Sequence, residues 1–317
     1  MRFRWPVFLA SLCAFTTSCA PQWQRTYEMQ PAPDFLFDQR PFHIGCADRP
    51  AQLPPGTHAW FSTSSQARYA RTRLDFLNLP LKEVPALTIA AELVNWVHIE
   101  GADQDHWALE YCAMGEGNTE EEARGSLQPV SMSRMGGLVT LNETYSKGHS
   151  GGHGDLFLDA PKDAPLTVHA IEAVEVRNMS GPVRVTGTGG RVTILNTTGK
   201  VEADGKIVDF AGSEGHVMLT SDSEIDIKLT ATQFQGGLSA YAQREVRVRV
   251  PRGFESPLEV WVSRRRDFVC RADFCSRFKQ ERNVAMFVYK YPGNGSAPSQ
   301  SVWLRSDQST VVMDNSN

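Results

Sequence analysis

Val174-Glu175-Val176, Val183-Arg184-Val185, Val192-Thr193-Ile194 and Val201-Glu202-Ala203 follow one another at starts nine residues apart. Each is an apolar–polar–apolar triplet, the period-two mark of a strand with one buried face. Gly181, Gly190 and Gly199 keep the same spacing just ahead of three of the triplets and mark turns. A fixed period repeated this often predicts a solenoid, because a short strand buries its face only by stacking on the next unit. Asn178-Met179-Ser180-Gly181 returns as Asn196-Thr197-Thr198-Gly199, eighteen positions later. The turn between them, Thr186-Gly187-Thr188-Gly189-Gly190, is of another kind. Two unlike strand–turn units therefore make one coil of about 18 residues. The expected fold class is all-β: a single-chain parallel β-helix with one short helix.

Stacking at this period sets a register. Val174 and Val176 lie over Val192 and Ile194, and Val183 and Val185 lie over Val201 and Ala203, about 4.8 Å apart. These valines and Ile194 are the expected core. Asn178 lies beside Asn196, where the amides would form a ladder. Arg184 lies beside Glu202 on the outer face, an exposed pair that marks register and adds only ~0–1 kcal/mol. Beyond Ala203 the spacing loosens through Ile207-Val208, Val217-Met218-Leu219 and Ile225-Asp226-Ile227, and Val246 to Val250 alternates cleanly.

Upstream, strands are expected at Ala86 to Ile89, Val94 to Ile99, His106 to Cys112, Pro129 to Met132 and Gly137 to Leu141. Leu166-Thr167-Val168 is the first regular strand of the repeat. A helix is expected over Thr119 to Leu127, because Thr119 with Glu122 three residues on is a capping box. The first turn also carries three acidic residues, which suit the positive end of the helix dipole.

The N-terminus reads as a targeting segment. Arg2 and Arg4 precede a mostly apolar run, Trp5 to Phe15, too short to span a membrane. Thr16-Thr17-Ser18-Cys19 then resembles a bacterial lipoprotein signal, except that Thr16 stands where leucine is usual. Lipidation of Cys19 is the leading reading, with ordinary secretory cleavage or an uncleaved segment as alternatives. A lipid anchor places the protein at the bacterial cell envelope, and Ala20 is compatible with the outer membrane. The expected organisation is 1–18 signal, 19–73 anchor arm, 74–262 β-solenoid, and 263–317 a Cys-bearing insert with closing strands. Cys46, Cys112, Cys270 and Cys275 remain in the exported part, an even number that suggests two disulfides. Cys270–Cys275 would be a local clip and Cys46–Cys112 a staple from arm to body; a zinc site is the weaker rival.

The formal charge is −4. Without residues 1–18 it is −6, from 30 basic against 36 acidic residues. That argues against a general nucleic-acid binder, which needs a basic surface. Arg264-Arg265-Arg266 is the one dense basic run, read as a solvated loop.

The order of motifs carries a resemblance. Pro85-Ala86-Leu87-Thr88-Ile89 and Val97-His98-Ile99-Glu100-Gly101 come first. The Trp107 to Cys112 strand, Thr119-Glu120-Glu121-Glu122-Ala123 and Asp159 to Leu166 follow, and then the Asn-x-Ser/Thr-Gly-x-Val-x-Val repeats. Residues 74–260 thus resemble the putative adhesin family of bacterial envelope proteins, a domain family of unknown function. The resemblance implies a parallel β-solenoid at the cell surface or in the periplasm and supplies no catalytic residues.

Glu202, Asp204, Asp209, Glu214, Asp222, Glu224 and Asp226 are the carboxylates a polysaccharide-cleaving enzyme could use. Such an enzyme needs two carboxyls ~5–9.5 Å apart in a groove that grips sugar. Phe210 is the sole aromatic between residues 158 and 233, so a solvated face is the favoured reading. His149 and His153 lie in a glycine-rich loop and make at best a weak metal site. The aromatics Trp60, Phe61, Phe268, Phe274, Phe278, Phe287, Tyr289 and Tyr291 are expected to cap the ends of the stack. The expectation is a non-enzymatic envelope lipoprotein without cofactor or metal. It would present a β-solenoid to an envelope protein or a surface glycan. A regulatory or stress-sensing domain that binds a membrane protein is the alternative, and a polysaccharide lyase or hydrolase the remote one.

Overall fold

The computed structural model describes residues 24–27, 69–91, 94, 96–117, 119–127, 130–143, 153–187, 189–282, 285–293 and 301–316. They form one connected mixed sheet of 22 strands, with one α-helix among the described residues. The expected positions of Trp60, Phe61, Cys19, Cys46 and His149 lie outside the described residues.

The strands are β1 (Gln24–Tyr27), β2 (Tyr69–Pro80), β3 (Leu87–Ala91), β4 (Trp96–Ala102), β5 (His106–Gly117), β6 (Val130–Met135), β7 (Leu138–Glu143) and β8 (His153–Pro161). Then come β9 (Leu166–Ala170), β10 (Ala173–Arg177), β11 (Val183–Gly187), β12 (Arg191–Leu195), β13 (Lys200–Gly212), β14 (Glu214–Leu229), β15 (Gln235–Ala242) and β16 (Glu245–Val250). The last six are β17 (Leu258–Ser263), β18 (Phe268–Cys270), β19 (Lys279–Arg282), β20 (Met286–Tyr291), β21 (Val302–Ser306) and β22 (Val311–Asn315).

Successive strands pair with the next but one, so the chain runs along two ladders in turn. The first follows β7, β3, β9, β11, the front half of β13, the front half of β14, β15, β21 and β17 in parallel. The second follows β8, β4, β10, β12, the rear half of β13, the rear half of β14, β16, β22 and β18, also parallel. The register read from the repeat is present: Val174 pairs with Val192, Val176 with Ile194, Val183 with Val201, and Arg184 with Glu202. Arg184 Nε stands 3.7 Å from the Glu202 carboxylate. Val174, Val176, Val183, Val185, Val192, Ile194 and Val201 are all buried, and residues of both ladders belong to one hydrophobic core.

The glycines of the turns allow close backbone approach. A Cβ on Gly199 would lie 2.3 Å from the Gly181 carbonyl oxygen, and one on Gly181 would lie 2.5 Å from the Asp163 backbone. Asn178 and Asn196 hold left-handed φ values of 56° and 52°. Asparagine tolerates that conformation better than most residues. The expected amide ladder is a point of correction. The Asn178 side-chain amide donates to Glu100 on the neighbouring strand β4, where it finds a charged acceptor that another amide cannot equal.

Four further expectations change. The sheet is not parallel throughout, because antiparallel pairs flank both ladders. β2, β5 and β8 pair antiparallel at one end, as do β6 and β7, and β17, β20 and β19 at the other. Leu166-Thr167-Val168 is not the first rung, since Leu166 pairs in parallel with Leu87 of β3 and Val174 with Val97 of β4. The closing strands do not follow the insert in space. β21 lies between β15 and β17, and β22 between β16 and β18. Strand β2 also begins inside the segment expected as an arm.

The helix α1 (Glu120–Leu127) has its capping box. Glu122 N–H donates to Thr119 Oγ1 at 3.2 Å, and Thr119 N–H donates to Glu122 Oε2 at 3.3 Å. Cys270 and Cys275 form a disulfide. Cys112 is buried and also disulfide-bonded. The insert aromatics pack together over the end of the core, with Phe274 and Tyr291 ring centres 4.5 Å apart and Phe268 and Tyr289 4.9 Å apart. The Tyr291 hydroxyl donates to the Phe254 carbonyl at 2.8 Å.

Candidate functional site

Alternation that buries one residue in two also lines up the others in outward columns, one residue per rung. On the second ladder the column runs Phe157, His98, Glu175, Thr193, Asp209, Asp226 and Arg247. Its acids meet cations. Asp209 takes Arg191 at 2.9 Å, and Asp226 takes Arg249 at 2.8 Å. Burial pushes the Asp209 carboxyl above its ordinary value, and Arg191 pulls against that push.

The first ladder differs. One column runs Arg184, Glu202, Met218, Ser239, Trp303 and Glu259, and the next runs His169, Thr186, Asp204, Thr220, Tyr241, Arg305 and Trp261. Three half-buried aromatics from separate parts of the chain meet here because β21 sits between β15 and β17. The Trp261 and Trp303 ring centres are 6.4 Å apart, and the Arg305 guanidinium lies 5.5 Å from the centre of the Tyr241 ring. Polar bonds fix Tyr241, Arg305 and Trp261. The Tyr241 hydroxyl donates to Asp307 Oδ2 at 2.9 Å, Arg305 Nε donates to Asp307 Oδ1 at 2.8 Å, and Trp261 Nε1 donates to Glu259 at 2.5 Å. Burial pushes the Asp307 carboxyl up, but its bonds from Arg305 and Tyr241 outweigh this and hold it below the usual value.

Asp204 and Asp222 adjoin this strip. Asp222 accepts from Gln243 Nε2 at 3.2 Å. Partial desolvation, and then the charge of Asp222, lift the Asp204 carboxyl above its ordinary value. The sign of the consequence is fixed by that direction. A raised folded-state value means the folded protein holds the proton more tightly, so this contribution to stability is present in acid and lost as pH rises through the raised value. Asp204→Asn is therefore expected to raise the melting temperature slightly at pH 7. The gain should vanish below the ordinary carboxyl value of 3.8. Calorimetry across that range checks it, and an equal gain at both pH values contradicts it.

The expected candidates thus divide. Asp204 and Asp222 come together beside the strip, while Asp209 and Asp226 share the other ladder among arginines. Glu202 faces Lys200 at 2.6 Å as well as Arg184, and the Lys200 hydrogen bond is the main cause of its lowered value. His153 lies in β8, away from any metal cluster; among the described residues, no group of three or more His, Cys, Asp or Glu is placed to hold a metal ion. No helix of the described residues is long and apolar enough to cross a membrane. Trp261, Trp303, Tyr241, Arg305 and Asp307 were not expected as a site. Their signal was the alternation itself: Leu258-Glu259-Val260-Trp261-Val262 and Val302-Trp303-Leu304-Arg305 put tryptophan at outward positions.

No family model and no curated protein matches the chain. It is similar to solved structures of a putative cell adhesion protein from Clostridium sporogenes, with 10% identity and a TM-score of 0.31 over 78% of this chain and 100% of that one. A putative adhesin from Bacteroides fragilis aligns with 10% identity and a TM-score of 0.28, over 77% of this chain and 97% of that one. A putative lipid binding protein from Parabacteroides distasonis aligns with 10% identity and a TM-score of 0.27, over the same shares. Likenesses this loose carry no argument about fold or function.

Proposed function

We propose that the chain is a non-enzymatic lipoprotein of the bacterial cell envelope, anchored through Cys19. It presents a β-solenoid as an adhesion or binding surface. The two alternating ladders, in register about a common core, support reading the middle of the chain as a solenoid of about 18 residues per coil, with residues 74–262 as its body. The antiparallel pairs at either end support end caps, which a solenoid needs to stay monomeric. The observation that carries the functional reading is the strip of Tyr241, Trp303 and Trp261 on the first ladder, with Tyr241 and Trp261 held by hydrogen bonds. Tryptophan and tyrosine offer large apolar faces with polar edges, the composition of recognition surfaces. The arginine-paired acids of the second ladder support a structural rather than catalytic role for that face.

A photo-crosslinking residue at position 239, within the strip, tests the reading in native cells against the same residue at position 193 on the other ladder. Adducts from 239 and none from 193 are expected. No adducts from 239 in folded, exported protein would contradict a binding role for this face. Labelling with radioactive palmitate, lost in Cys19→Ala, tests the anchor separately.

A further inference from the structure

The aromatic strip has a chemistry that selects among ligands. Its three rings are half-buried and rise from three adjacent rungs, β15, β21 and β17, so they follow the ladder as an open track, with the Trp261 and Trp303 planes inclined at 51°. Around them stand Asp204, Asp222, Glu259 and Asp307, against Arg305, which is committed to Asp307. Lys290, opposite Glu259, pairs with Glu281 at 2.7 Å, and the exposed Arg264-Arg265-Arg266 turn follows the end of β17. The surface therefore combines apolar ring faces with carboxylate and amide acceptors.

We propose that this strip binds an extended, uncharged saccharide chain along the ladder. This rests on the reading of the first ladder as a binding face. Sugar rings present an apolar face of C–H groups, which stacks on an indole or a phenol ring, and an edge of hydroxyl donors, which seeks charged acceptors. Trp303 and Trp261 supply two stacking platforms 6.4 Å apart, separate enough for neighbouring sugars of one chain. Glu259, Asp222 and Gln243 supply acceptors and a donor for the hydroxyls. Glu259 beside Trp261 and Asp307 beside Tyr241 would repel the carboxylates or sulfates of an anionic chain laid on these rings, which favours an uncharged one. The Tyr241–Asp307–Arg305 bonds hold the platform in place before the ligand arrives, which lowers the entropy lost on binding.

The test is affinity electrophoresis of the full chain through native gels containing dissolved galactomannan, xyloglucan, mixed-linkage glucan, dextran or polygalacturonate. Retardation by at least one neutral polymer and none by polygalacturonate is expected. Trp303→Ala should weaken the association about tenfold or more, as loss of a central aromatic anchor does. Trp303→Phe should recover part of the loss, and Thr193→Ala on the other ladder should change nothing. Melting curves confirm that each variant is folded. Should Trp303→Ala not fold, Tyr241→Phe, which removes only the hydroxyl, is expected to weaken binding about threefold by loosening the platform. Absence of retardation by every neutral polymer, or equal retardation of the parent and Trp303→Ala, overturns the proposal. If the polymers fail while crosslinks from position 239 persist, the glycan is wrong and the binding face stands. If both fail, the face itself is wrong.

Discussion

Gly190→Ala is expected to abolish the native fold. A Cβ on Gly190 would lie 1.5 Å from the Glu172 carbonyl oxygen and 2.1 Å from its carbonyl carbon. Those atoms are backbone and cannot swing aside as a side-chain end would. The turn is also held from both sides: Gly189 N–H donates to the Ile171 carbonyl at 3.1 Å, and Lys206 N–H donates to the Gly190 carbonyl at 3.1 Å. Relief of the clash requires the rungs to part, with loss of those bonds and of packing below Val192. A cost above about 4 kcal/mol follows, in the range reserved for a disrupted core or a strained backbone. Gly237→Ala is the control. Nothing lies within 4 Å of its Cβ, so alanine there is expected to be neutral or to stabilise by about 0.4–1 kcal/mol, through the unfolded chain. Urea unfolding of the two variants checks the contrast. A native-like Gly190→Ala would mean that this turn does not pack against Glu172.

The two glycines show how far local pattern reaches. The nine-residue beat located Gly190 at a turn, but not what lay beneath it, since Glu172 approaches only after the rungs stack. The same limit explains the rest. Val174 over Val192, Arg184 beside Glu202, the Thr119–Glu122 box and the Cys270–Cys275 clip join residues near in sequence, and all were legible. The pairing of Leu87 with Leu166 was hidden because the helix and the β5–β8 pairs intervene. The pairing of Leu238 with Val302 was hidden more deeply, because the disulfide-bearing excursion comes between. That pairing builds the candidate site. Trp303 and Trp261 become neighbours only because β21 enters between β15 and β17, so a count of aromatics within the repeats understated what the ladder presents.

Val192→Asp is expected to cost about 3–5 kcal/mol, the penalty for a buried charge without a partner. Val192 is fully buried and pairs with Val174 on one side and Val208 on the other. The ideal Cβ positions of Gly187 and Gly205 lie 3.1 and 2.9 Å from its Cγ2, so the site is dry and tight. A carboxylate there meets valines where it needs donors. Two comparisons separate charge from shape. Val192→Ala removes the same packing without the charge and should cost about 2 kcal/mol or less. Thr193→Asp moves the charge one residue along, onto the outward column beside Asp209, where solvent limits the repulsion to under about 1 kcal/mol. The pH dependence has a definite sign. Burial raises the folded-state value of the new carboxyl, so the folded variant prefers the protonated form, and its deficit shrinks as pH falls toward the unfolded value of about 3.9. Equilibrium unfolding in urea at pH 7 and pH 4 measures both effects. If Val192→Asp unfolds with its parent while Thr193→Asp does not, the inward and outward columns are exchanged. In that case Trp261 and Trp303 would face the core instead of a ligand.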